Sequence, residues 1–558
     1  MNGATANPVS RRLLQLAAIA VVVAGIAAGA QTRTLLRAGT SPGKGPYRIA
    51  GTVVNAVTGE PLRRATVAVL DEQDSHTVES VASDNDGHFA LDGLTEAKYQ
   101  LTASKRGFRT GFYDEHEEFS TAIVTGPDQD TTHLKFQLTP GAVLHGVVSG
   151  DGGDPVEGAR VMLFMRPQHS RLGEQIQQAD SATTDDTGAY EFSNLAAGEY
   201  LLAVVAEPWY AMHSAGLRSQ ARQAGEANSE LDVAYPVTYF DSTTDEASAT
   251  PIVLAGGSRE EADINLHATP ALRLSIATPR KADGSIARPE LRQVIFGTQI
   301  SAESAGFLDA LQTGSVEFTG VAPGHYQLAQ GDPPRVADMD LTASQRVDSN
   351  SGTPAFTVAG NLRMTNGTAP PDDVNLRLEL TNGARGRDDL GVAAKNGRFK
   401  IDGVRPGTWS LWASGGGKVL PVVQMATGGA ARAGGEFTLH DRALNLQVTL
   451  SEGNTRIEGF ARKDGKGFAG AMVVLTPRDT AAWPALTRRD QSDSDGSFSL
   501  RDVAPGQYTV VAIEDGWDVD WTRPEVLGRY LRNGTAVTVD DNSAALVHLA
   551  GPVTVQPR

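Results

Sequence analysis

Residues Asp84 to Leu101 read DNDGHFALDGLTEAKYQL, and this stretch decides the fold because it returns four more times. A glycine closing a polar turn is followed at +2 by an aromatic or branched apolar residue, at +4 and +7 mostly by aliphatics, and at +12 by Tyr or Trp. Laid over one another without gaps, the copies start at Gly87, Gly188, Gly314, Gly397 and Gly496 and reach Tyr99, Tyr200, Tyr326, Trp409 and Tyr508. Residues two apart share one face of a strand, so the pattern is that of two short strands joined by a tight loop, with the +12 ring in the core. The opening glycine follows an Asp-rich turn that needs positive φ. Four copies carry a second glycine at +10 (Gly198, Gly324, Gly407, Gly506), three of them after proline, which predicts a type II turn with that glycine at positive φ.

The 558 residues predict three to five domains, and the spacing of the copies, about a hundred residues, selects five. With 60 glycines and few aromatics, the chain favours many short strands between turns. The expected fold class is all-β, a tandem array of Greek-key sandwiches at 46–139, 140–268 (with an insertion at 208–245), 269–350, 355–452 and 455–558. The third unit is the most degenerate. Arg218 to Leu231 has helical composition, and Val547-His548-Leu549 is expected to end the fold.

Ahead of the array, Arg11-Arg12 precede an apolar run from Leu13 to Ala30 ending in Ala28-Gly29-Ala30. Residues 1–30 therefore read as a signal peptide or an uncleaved membrane anchor, and 31–45 as a flexible linker. Export to the periplasm, cell surface or medium follows from either reading. The chain has no cysteine, which excludes disulfides, thiolate metal sites and thiol nucleophiles. A formal net charge of −17 argues against nucleic acid as a partner.

The string G-x-V, G-x-P-[LV]-x-x-A-x-V, D-x-x-G-x-[FY]-x-[FL]-x-x-[LV]-x-x-G-x-Y resembles the carboxypeptidase regulatory-like domain, a transthyretin-like or prealbumin-like sandwich. It is also similar to the B-type repeats of collagen-binding surface proteins and to carbohydrate-binding-like folds. The resemblance implies non-catalytic exported modules without a cofactor, and it specifies a fold far more sharply than an activity.

The chemical motifs are weak. His76-x-x-Glu79 has a zinc-carboxypeptidase spacing but no third ligand downstream. Gly39-x-Ser41-x-Gly43 lacks the strand that an exposed nucleophile needs. The turns at Asp84 and Asp493 resemble calcium loops but lack the flanking acids. No catalytic, cofactor or metal residue is expected. The second unit contains no lysine, so a Lys–Asn isopeptide cross-link cannot form within it. Aromatic residues beside the hallmark strands remain as ligand-contact candidates: Trp209, Tyr210, Tyr239, Trp517 and Trp521. Their rings are suited to stack on sugars or on an envelope protein, and the competing reading packs them between neighbouring units. Three functions follow: a binding array for polysaccharide, envelope polymer or envelope protein, a structural spacer that would project as a rod, and, behind these, an accessory subunit of a hydrolase or nutrient-uptake system.

Overall fold

The computed structural model describes residues 45–558 apart from 73–74, 167–175, 213–229, 279–287, 302–313, 332–334, 349, 382–388, 484 and 541–544. The leader, most of the linker, the Gly39–Gly43 motif and most of the helical stretch in the insertion lie outside the described residues.

Each domain is built around its opening strand. In the first, Tyr47–Asn55 pairs antiparallel with the hallmark strand His88–Leu94 and parallel with the closing strand Leu134–Leu138. The same three-way pairing recurs around Ala142–Ser149, Leu272–Ala277, Phe356–Met364 and Thr455–Lys463. The second hallmark strand belongs to the facing sheet, where Lys98–Ser104 pairs with Thr66–Asp71 in the first domain. Alternating side chains from the two sheets meet in five separate cores, each holding its hallmark ring. Buried apolar area is the main stabilising term in each.

The hairpin repeats in atomic detail. The opening glycine sits at positive φ in all five copies, from +67° at Gly397 to +83° at Gly496. A Cβ at Gly87 would also lie 2.7 Å from the Val53 carbonyl oxygen. The +12 ring donates a hydrogen bond to the carbonyl four residues earlier in every copy: Tyr99 to Thr95, Tyr200 to Ala196, Tyr326 to Ala322, Tyr508 to Ala504, and Trp409 through its Nε1 to Arg405. Each ring thus ties the second strand to the loop before it, a close relative of the tyrosine corner.

The turn itself differs from the type II expectation. Positive φ falls at +6, on Gly93, Asn194, Gly320, Gly403 and Asp502. The +10 glycines are extended or nearly so, with Gly324 at φ 159° and Gly407 at 152°. At Gly506 the smallness serves packing, since a Cβ there would stand 3.1 Å from the Tyr508 ring; at Gly198 and Gly324 the ring would be at an ordinary 3.8 and 3.6 Å. The expected end of the fold is also corrected. Beyond Leu546–His548 a further strand, Val553–Gln556, pairs parallel with both Thr455–Lys463 and Gly506–Ile513 and so joins the two sheets of the fifth domain. Its Val553 and Val555 are buried in that core, which is why the strand forms.

Contacts run from domain to domain and then back. Arg109 reaches Asn194 from the first domain to the second, the Phe296 N–H meets Glu246 between second and third, Arg405 pairs with Asp338 between third and fourth, and Val423 and Ala433 of the fourth pack against the core of the fifth. The fifth domain also docks on the first. A rod whose ends stand apart is therefore corrected: the two terminal sandwiches carry matching faces and meet.

Candidate functional site

The five candidate aromatics fall into three environments. Tyr239 is buried between the second and third domains, its ring edge-on to Phe296 at 5.0 Å and its hydroxyl bonded to Glu246. Burial beside Glu246 raises its phenol far above the usual value. Trp517 and Trp521 are buried too, where the fifth domain meets the first. Of the five, Trp209 alone is exposed, and Tyr210 beside it is half-buried. The Trp209 side chain is 89% exposed, with its ring edge-on to Tyr210 at 5.7 Å. Tyr210 is held in turn by a hydrogen bond to Tyr235, whose phenol is pushed up to about 12 by burial and by Tyr210.

Trp517 and Trp521 are buried because the outer face of the fifth domain is covered. The strand Met472–Pro477 is buried on both faces. One face looks into the core, and the other lies under Trp517, Trp521 and the helix Pro524–Leu531, with Leu527 and Tyr530 turned inward. The Trp517 ring then stacks under His116 of the first domain, 5.2 Å away and 8° from parallel, with Phe119 at 5.6 Å.

At the centre of this junction stands Arg489, 7% exposed. Its guanidinium lies 4.2 Å from the Trp521 ring and 5.1 Å from the Phe119 ring, and it bonds Glu117 at 2.6 Å. Two of its nitrogens have no hydrogen-bond acceptor, so the ring faces around it supply the compensating electron density. Beside it the Gln491 amide donates to the Thr121 hydroxyl at 2.8 Å, and Arg501 pairs with Glu72 at 2.8 Å.

The fifth hallmark turn has been redeployed for this contact. Asp84 and Asp185 each cap their own turn, taking N–H bonds from the residues two and four along. Asp493, at the equivalent position, instead accepts the Ala122 N–H at 3.0 Å and the Lys98 ammonium at 2.6 Å, both from the first domain. Burial pushes its carboxyl up despite that cation. Burial opposes the charge on Lys98 as well, yet the pull of Asp493 raises it overall. Nearby Asp490 accepts the Ser499 N–H, and burial pushes its carboxyl up to about 7.

Sequence reasoning missed Arg489, Glu117, Lys98 and the docking role of Asp493. The hallmark residues Gly87, Gly188, Gly314, Gly397 and Gly496, with Tyr99, Tyr200, Tyr326, Trp409 and Tyr508, are structural in every copy. His76 immediately precedes the strand Thr77–Ala82 and Glu79 lies within it. Among the described residues no group of three or more His, Asp or Glu is placed to hold a metal. No described helix is long and apolar enough to cross a membrane.

The carboxypeptidase regulatory-like domain model matches residues 48–139 and 143–232, two tandem repeats that cover the first sandwich and much of the second. A search of curated proteins found no match. Among solved structures, the Bacillus anthracis TIE protein is 9% identical, over 73% of this chain and 75% of its own, with a TM-score of 0.17. GBS52, the minor pilin of Streptococcus agalactiae, is 13% identical over 40% of this chain and 97% of its own, with a TM-score of 0.20. Two B repeat units of the Staphylococcus aureus collagen binding protein are 10% identical over 73% and 99%, with a TM-score of 0.12. At such scores these likenesses carry no argument about function.

Proposed function

We propose that this chain is an exported, non-catalytic binding protein that holds a polysaccharide of the cell envelope or its surroundings on the Trp209–Tyr210 pair. The observation that carries the reading is the pairing of Trp209, 89% exposed, with the Tyr210 ring edge-on at 5.7 Å, two adjacent rings open to a ligand. An indole face held by a second ring, itself hydrogen-bonded to Tyr235, is a preorganised stacking surface for a pyranose. The sandwiches supply rigidity, and the leader-like segment at 1–30 supports delivery outside the cytoplasm.

The test is a glycan array and an envelope pull-down with the full chain, repeated with Trp209→Ala and Tyr210→Ala together. Binding that disappears in the double variant while its melting temperature stays within about 1 °C of wild type is the expected result, since exposed substitutions change stability little. If the wild type binds nothing in either assay, the architectural reading replaces this one. The burial of Trp517 and Trp521 between domains favours that second reading, in which the array braces other components at the cell surface.

A further inference from the structure

The fourth and fifth domains part along a cleft of about 910 Å³, near the top of the range for small-ligand sites. Two arginines stand in its wall, one from each domain. Arg363 lies directly beside Thr449 in the parallel pairing of opening and closing strands, and its Nε donates to the Thr449 hydroxyl at 2.8 Å. That bond fixes the side chain and uses one of its three nitrogens. Arg478 follows the strand Met472–Pro477, and its backbone N–H is tied to the Gln507 carbonyl at 2.9 Å. Neither guanidinium is paired with a carboxylate among the described residues.

Two acids share the lining, Asp479 and Asp540. Asp479 spends an oxygen on the Ala481 N–H at 3.0 Å, and Asp540 has an interaction of its own. The lining therefore holds two cations and two anions, and the capacity to bind an anion rests on the two guanidinium groups, neither of which is paired with a carboxylate among the described residues. Hydroxyl and amide groups make up much of the remaining polar lining, Thr449, Gln424 and Gln507 among them.

We infer that this cleft binds an oligosaccharide segment bearing carboxylates, of the uronic-acid type. A guanidinium fork matches a carboxylate with two parallel N–H bonds, and the surrounding hydroxyls and amides match the alternating donors and acceptors of sugar rings. The site is separate from the Trp209 surface and stands whether or not that surface binds a glycan.

The experiment is calorimetric titration of the full chain with an oligogalacturonate and with a neutral oligosaccharide of equal length. The acidic ligand binds, and its affinity falls about tenfold in Arg363→Gln and in Arg478→Gln, the loss of roughly one charge-assisted contact. Affinity also falls as salt is raised, and it is unchanged by Trp209→Ala. Both arginines are exposed, so equal melting temperatures verify the folded state of the variants. Absence of binding, equal binding of the neutral ligand by the Trp209→Ala chain, insensitivity to both arginine substitutions, or loss of acidic-ligand binding in Trp209→Ala would each overturn the assignment.

Discussion

Replacing Arg489 with alanine should undock the fifth domain from the first. The bond to Glu117 at 2.6 Å joins a side chain only 3% exposed to one that is 29% exposed. A charge-assisted bond of that kind contributes about 1.5–3 kcal/mol. Contact of the guanidinium with the Phe119 ring at 5.1 Å adds about 0.5–1 kcal/mol. Glu118, 65% exposed at 3.4 Å, adds little. The Trp521 stack lies within the fifth domain and drops out of the docking balance. The total of about 2–4 kcal/mol weakens docking by roughly 30- to 1000-fold. Removing Glu117 and Glu118 together should cost at least as much, because that leaves the buried guanidinium unpaired, whereas Arg489→Ala leaves carboxylates that water can reach. The chain has no cysteine, so Lys135→Cys and Lys466→Cys place the only two dye sites on the first and fifth domains. Energy transfer between them should fall in Arg489→Ala, and should respond to lower salt concentrations than in the parent. Transfer and salt response identical to the parent would refute the reasoning.

Two further outcomes test the fifth domain and the hairpin. The Asp490 carboxyl is raised from 3.8 to about 7, so between those values the folded chain holds a proton that the unfolded chain has released. Stability of the fifth domain should therefore fall as pH rises from about 4 to about 7, then level off. Asp490→Asn should reduce that slope, leaving the part due to Asp493, and raise the melting temperature at pH 8, and an unchanged slope in the variant would exclude Asp490 as a source. In the first hairpin, Gly87→Ala meets both positive φ and the Val53 carbonyl, whereas Gly59→Ala meets positive φ in open space. Denaturant titration should show a loss of about 1 kcal/mol for Gly59→Ala and clearly more for Gly87→Ala. Equal losses would mean that the close approach carries no cost.

The hairpin was legible because its determinants are local: a glycine forced to positive φ, alternation, and a ring at a fixed offset. The +6 residue escaped notice because glycine holds that position in only three copies, with asparagine and aspartate in the other two. The +10 glycine was found but its turn type was not; at Gly506 it makes room for the Tyr508 ring, and a ring folding back on its own strand leaves no pattern different from a turn. Docking between the first and fifth domains was invisible in the turn itself, because Asp493-Ser494-Asp495-Gly496 reads like Asp84-Asn85-Asp86-Gly87. Other signals were present in the chain. Thr66–Asp71 alternates, but Val161-Met162-Leu163-Phe164 and Met472-Val473-Val474-Leu475 are continuous apolar runs, and all eight residues are buried. Such runs mark strands covered on both faces. They are the strands over which Phe296 and the Trp517–Trp521 cluster pack. Arg488-Arg489-Asp490-Gln491 is the other signal, a charged stretch at a strand position, which needs partners if it is not to face water.

The hydrogen bonds that unite the first and fifth domains span about 370 residues of chain, as between Thr121 and Gln491. At a synthesis rate of roughly 5–20 residues per second, the first sandwich is complete about 20–70 s before its partner exists. Through that interval its docking loop carries Asp114, Glu115, Glu117 and Glu118 with no cation from the fifth domain to meet them. Like charges on nascent copies repel one another at short range. The acidity of the loop thus does two jobs at different times: it keeps unfinished chains apart, and later it receives Arg489.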